Sequence, residues 1–93
     1  MLKAITKHGT YYLIDEDNKR AMRVRGEGRN DMGDDSEWFD YWDMQTYDYD
    51  KYLSNESPLT SEDIVVGKAI FFYLTDPYGG YRISTDVTAI EEV

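Results

Sequence analysis

The longest apolar run in the chain is Ala69-Ile70-Phe71-Phe72-Tyr73-Leu74. It is far too short to cross a bilayer as a helix, which takes ~20 residues, but it suits a strand. Shorter runs surround it, separated by turn chemistry. Residues 2–7 and 11–14 flank the His8-Gly9 turn, and Asp15-Glu16-Asp17-Asn18 supplies side chains that bond their own backbone in turns. Residues 20–25 alternate apolar and charged with period two, which predicts Met22 and Val24 in the core and Arg23 and Arg25 in water. The run at 68–74 is the strongest strand and is expected in the middle of the sheet. Asp76-Pro77-Tyr78-Gly79-Gly80 turns the chain into residues 81–84, and residues 87–90 close it as a short strand. The chain is therefore expected to be mainly β: a small, partly open antiparallel barrel or sandwich of five to seven strands. Closure hides the edges of such a short sheet. One short helix has room near 36–45, where Asp34 and Glu37 have capping-box spacing. An extended reading of 37–46 stays open, and Tyr47-Asp48-Tyr49-Asp50 alternates as a strand would.

Ninety-three residues form one domain. A chain of this size buries roughly 60–65% of its unfolded surface, enough for one modest core. Residues 1–93 are thus read as a single acidic β domain with an acidic aromatic insertion at about 31–55. The absence of cysteine excludes disulfides, thiolate nucleophiles and cysteine-bound zinc. The opening MLKAITKHGT lacks the apolar stretch of a signal peptide, so a cytoplasmic protein with no membrane contact is expected.

Charge is unevenly placed. Residues 1–30 carry a net +3, residues 31–50 eight acids and no base, and residues 51–93 a net −4, giving −9 for the whole chain. Such a total repels nucleic acid and anionic lipid, since binding phosphates requires cations. Cationic protein surfaces are the expected partners, with no direct nucleic-acid binding. A homodimer stays open, because Arg23 and Arg25 of one copy could meet Asp48 and Asp50 of another.

The residue types speak against catalysis. His8 is the lone histidine and stands in a turn, with no elbow motif around a serine to complete a nucleophilic triad. Paired carboxylates need a cleft that raises one pKa by burial, and a domain this small offers few. The acid clusters at 15–18 and 31–37 do not follow the calcium-loop pattern of alternate ligands, a sixth-position glycine and a twelfth-position glutamate. No enzyme, cofactor or dedicated metal site is expected.

Function must come mostly from GDDSEWFDYWDMQTYDYDKY, residues 33–52. This stretch holds seven of the fourteen aromatic residues and seven carboxylates against one cation, Lys51. Its rings could be core with the acids as a solvated face, or the segment could be a disordered acidic loop, or rings and acids together could form a recognition surface. Ile5, Leu13, Met22, Val24, Ile64, Val66, Ile70, Phe72, Leu74, Ile83, Val87 and Ile90 already supply a core. Seven more rings exceed what it absorbs, which favours the recognition surface. Tyr and Trp give large contact area at low entropic cost, and acids around them steer a basic partner. The predicted binding residues are Asp34, Asp35, Glu37, Trp38, Asp40, Trp42, Asp43, Tyr47, Asp48, Tyr49 and Asp50. Extended at ~3.3 Å per residue, the acids fall one per roughly 8 Å, against one charge per ~1.7 Å of DNA axis. Mimicry of DNA would need a second acidic strip alongside.

Small size, strong acidity, absence of cysteine and aromatic-rich acidic stretches resemble phage-encoded inhibitors, a group that includes DNA-mimicking anti-restriction proteins, uracil-DNA glycosylase inhibitors and anti-CRISPR proteins. The stretches 66–73 and 81–90 are similar to the ends of small phage β proteins. The resemblance implies a non-enzymatic, stoichiometric inhibitor. It would act in the cytoplasm of an infected bacterial host, on the Arg/Lys-rich surface of a host defence protein. A self-associating accessory phage protein is the alternative.

Overall fold

The fold comes from a computed structural model, which describes residues 1–25, 38–60, 64–75 and 79–93. Eight antiparallel strands form one open sheet: β1 (Leu2–Thr6), β2 (Tyr11–Asp15), β3 (Arg20–Val24), β4 (Phe39–Tyr47), β5 (Leu59–Thr60), β6 (Ala69–Leu74), β7 (Tyr81–Ile83) and β8 (Val87–Glu92). The order across the sheet is β7-β6-β4-β3-β2-β1-β8, with β5 pairing β4 off that path. β6 therefore lies next to the β7 edge and not in the middle, since its long apolar run reflects rings on both of its faces. The single α-helix, α1, spans Tyr49–Leu53. Residues 39–47 are strand, so of the two readings left open at 37–46 the extended one holds from residue 39, while the capping-box pair Asp34 and Glu37 lies outside the described residues. Among the described residues no helix is long and apolar enough to cross a membrane.

The β2–β3 turn forms as its composition dictates. Asp15 accepts hydrogen bonds from the Asn18 backbone N–H (3.3 Å), the Asn18 side chain (2.9 Å) and Arg20 Nε (3.3 Å). The Asn18 side-chain bond leads in holding the Asp15 carboxyl below the usual range, with Arg20 adding to it. Lys19 takes the left-handed conformation the turn needs, at φ 50°.

The sheet curls, so that Ala4, Tyr12, Ile14, Ala21, Tyr41, Ile70, Phe72 and Val87 meet in one buried cluster. Near its open seam, Gly67 N–H donates to Val87 O (2.8 Å) and Val87 N–H to Lys68 O (2.9 Å), tying the approach to β6 onto the start of β8. Gly67 sits at φ 101°, a conformation that favours glycine. Ser84 stitches the same corner: its Oγ accepts from Ile70 N–H (2.8 Å), and its own N–H donates to Ile70 O (2.9 Å).

The core differs from the expected one. In β3 it is Ala21 and Arg23, not Met22 and Val24, that share the inner face, because they lie opposite Ile14 and Tyr12. Residues 11–14 are apolar on both faces, so alternation could not decide which pair turns inward, and β3 inherits the parity of β2. Burial pushes the Tyr12 phenol up in pKa, while Arg23 and Arg82 oppose it. Val66 is 59% exposed in the approach to β6, and Ile5, Leu13, Met22 and Val24 are only half-buried.

A bulge in β4 decides the faces of its aromatic residues. Tyr41 lies opposite Leu74 and Asp43 opposite Tyr73, leaving Trp42 as the extra residue. Beyond the bulge, Met44 and Thr46 point inward with Phe72 and Ile70. The added residue shifts parity by one, so Tyr41 and Phe39 also turn inward. Both pack on Phe72, with ring centroids 5.5 and 5.2 Å away.

Candidate functional site: an aromatic outer face

The opposite face of β4, β6 and β7 carries a second set of rings. Period-two alternation places Phe71 and Tyr73 there, and the β6–β7 pairing brings Tyr81 opposite Tyr73 and Ile83 opposite Phe71. Trp42 lies 4.8 Å from Tyr73, Tyr73 4.8 Å from Phe71, and Phe71 5.1 Å from Tyr81 in a near-parallel stack at 14°. The chain of contacts continues from Phe71 to Tyr47 (6.0 Å, 13°) and from Tyr47 to Tyr49 (4.8 Å) and Tyr52 (6.5 Å). Tyr73 also donates its hydroxyl proton to Gln45 Oε1. Seven rings thus touch in sequence across three strands and a helix. Their outer members stand open, with Trp42, Tyr52 and Tyr81 at 56%, 58% and 63% exposure.

The expected binding residues divide by role. Trp42, Asp40, Asp43 and Asp50 are exposed. Trp38 is partly so, with the Arg20 guanidinium 4.6 Å from its ring. Tyr47 is buried beneath Phe71, Tyr49 and Tyr52, so it supports the face without presenting itself. Tyr49 is anchored by its hydroxyl to Ser84 O (3.0 Å), and burial raises its pKa, with Tyr47 and Asp86 adding to the rise. Asp48 caps α1 by accepting the N–H groups of Asp50 (3.0 Å) and Lys51 (3.3 Å), and it pairs with Lys68 Nζ at 3.5 Å. Desolvation pushes its carboxyl up, but the two N–H bonds and Lys68 outweigh this and hold it below the usual range. An Asp48 so engaged within its own chain is a structural group. The expected strand at 47–50 gives way to this helix because Asp48 is a strong N-cap. Asp34, Asp35 and Glu37 lie outside the described residues.

Four of the seven rings, Tyr52 in α1 and Phe71, Tyr73 and Tyr81 in β6 and β7, were not among the expected binding residues. A signal for the last three existed. Alternation in Phe71-Phe72-Tyr73 sends two rings to one face, and the β6–β7 pairing sets Tyr81 beside Tyr73.

Elsewhere, a cleft of about 280 Å³ is lined by Leu2, Glu16, Met44, Ile64 and Ile90, with Glu16 the ionisable group among these described residues. Among the described residues, no three His, Asp or Glu side chains gather as metal ligands would. No protein family, curated protein or solved structure matches the chain.

Proposed function

We propose that this is a non-enzymatic binding protein whose aromatic outer face docks on a basic protein surface, acting as a phage-type inhibitor of a host defence or nucleic-acid-processing protein. The observation that carries this reading is the run of open rings from Trp42 to Tyr81 and Tyr52, bordered by the exposed carboxylates Asp40, Asp43 and Asp50. Rings of this kind supply contact area and acids supply the approach rate and the choice of partner. With β4 extended, Asp40 and Asp43 stand roughly 10 Å apart at ~3.3 Å per residue. That spacing is too wide to trace a phosphate backbone, so the rings must carry as much of the recognition as the charge.

The test is capture of partners from a bacterial lysate at low and high salt, with wild type beside the triple reversal Asp40→Lys, Asp43→Lys, Asp50→Lys. Asp48 is left intact because it caps α1. Screening length falls from ~10 Å at 0.1 M to ~3 Å at 1 M salt. A basic nucleic-acid-binding protein should be retained at low salt, and lost at high salt or with the reversal. Retention indifferent to both would refute the reading. Self-association as an accessory protein is favoured by the exposed Tyr52, Leu53 and Tyr81, and would appear as a concentration-dependent oligomer that survives high salt.

A further inference from the structure

We infer that Asp43, Tyr73 and Tyr81, with Trp42 against Tyr73, form a site for a single arginine side chain of the partner. The inference rests on the docking reading above and names the chemistry recognised at its centre. Asp43, Tyr73 and Tyr81 occupy one cross-strand row, since Asp43 lies opposite Tyr73 and Tyr73 opposite Tyr81. Directly opposed side chains in antiparallel pairs stand ~4.5–5.5 Å apart at Cβ, so one planar cation can span neighbouring members of the row. The bulge delivers Trp42 to the same place, 4.8 Å from Tyr73.

The cations among the described residues leave this row uncovered. Lys3 lies 4.4 Å from the Tyr11 ring, Arg20 4.6 Å from Trp38 and Arg82 4.6 Å from Phe39. Among the described residues no such contact falls on Trp42, Tyr73 or Tyr81. Lys19, the nearby cation, places Nζ 3.4 Å from the Trp42 carbonyl oxygen, on the backbone and not on the indole. Asp43 Oδ1 accepts the Met44 N–H at 2.8 Å, which fixes the carboxylate and leaves Oδ2 for an incoming donor. A guanidinium satisfies both features at once, stacking on a ring while its in-plane N–H groups reach the carboxylate. An ammonium is a compact, strongly hydrated charge and gains less from the rings. A second copy of this chain would bring its own carboxylates against Asp43, and the −9 total makes that pairing unfavourable.

Capped peptides alternating Arg-Gly or Lys-Gly, equal in length and charge, should be titrated calorimetrically into the full chain at low salt. The arginine peptide should bind about tenfold more tightly, the scale of a partly desolvated cation–ring contact. Trp42→Ala, Tyr81→Ala and Asp43→Asn should each reduce it to the lysine level. Asp43→Asn keeps a carbonyl for the Met44 N–H, so it removes charge without removing the local bond. Thermal melts of the three variants serve as the folding control. Equal affinity for both peptides overturns the arginine site but leaves the wider basic-surface reading, which the lysate capture decides by itself. No binding to either peptide also overturns the site, as does a dimer of the free chain that Trp42→Ala abolishes.

Discussion

The two faces of β4 and β6 are built from the same strands, one residue out of phase, and each carries aromatic rings. On the inner face Tyr12, Phe39 and Tyr41 close around Phe72, which is fully buried. On the outer face Trp42, Phe71, Tyr73 and Tyr81 touch at similar distances yet stop at solvent. Ring contact alone therefore does not make a core. The inner set gains its stability from the strands that curl over it, whereas the outer set has no strand packed over it among the described residues and holds its shape through neighbouring rings and the Tyr73–Gln45 hydrogen bond. An open aromatic surface so supported can bind without first having to form.

The sharpest way to break this contrast is to truncate the ring at the centre of the inner face, Phe72, on which Tyr12, Phe39 and Tyr41 pack. Phe72→Ala should lower stability by about 3–5 kcal/mol through the lost ring and the cavity left behind. Tyr81→Ala on the outer face should change it by no more than about 1 kcal/mol. Similar losses at both positions would erase the distinction between core and platform.

Sequence reasoning recovered one of these faces better than the other, for identifiable reasons. Turn chemistry placed the β2–β3 and β6–β7 connections, because Asp15, Asn18, Gly79 and Gly80 act locally. Alternation located most strands, yet it failed where both faces are apolar. Nothing in Tyr11-Tyr12-Leu13-Ile14 says which pair turns inward, and the error passed to Met22 and Val24 through register. The bulge at Trp42 left no mark in composition. Tyr47-Asp48-Tyr49-Asp50 alternates, but the N-cap bonds of Asp48 compete with the strand and win. The surplus of rings over core volume was legible at 33–52, and it led to Trp42. The matching surplus in β6 and β7 was signalled only by the alternation of Phe71-Phe72-Tyr73, and its link to Tyr81 and Trp42 comes from strand pairing.

The smallest effect distinguishes the faces by proton binding. Burial pushes the Tyr41 phenol up to about 12, and the nearby Glu16 and Asp15 carboxylates add to the rise by disfavouring a further negative charge. An unfolded tyrosine ionises near ~10, so between these values the unfolded chain has released a proton that the folded chain retains. The stabilising contribution is complete below pH ~10, and it is lost as pH rises through the folded value. Other groups titrate in the same range, so the informative quantity is the difference between wild type and Tyr41→Phe. The variant should lose one late phenol from the near-ultraviolet alkaline titration, and its stability should fall less steeply over that window, with little change at neutral pH. If the two proteins titrate alike above pH ~10, Tyr41 meets water as freely as an outer-face ring would. In that case the parity shift at Trp42, which alone sends Tyr41 inward, would have to be abandoned.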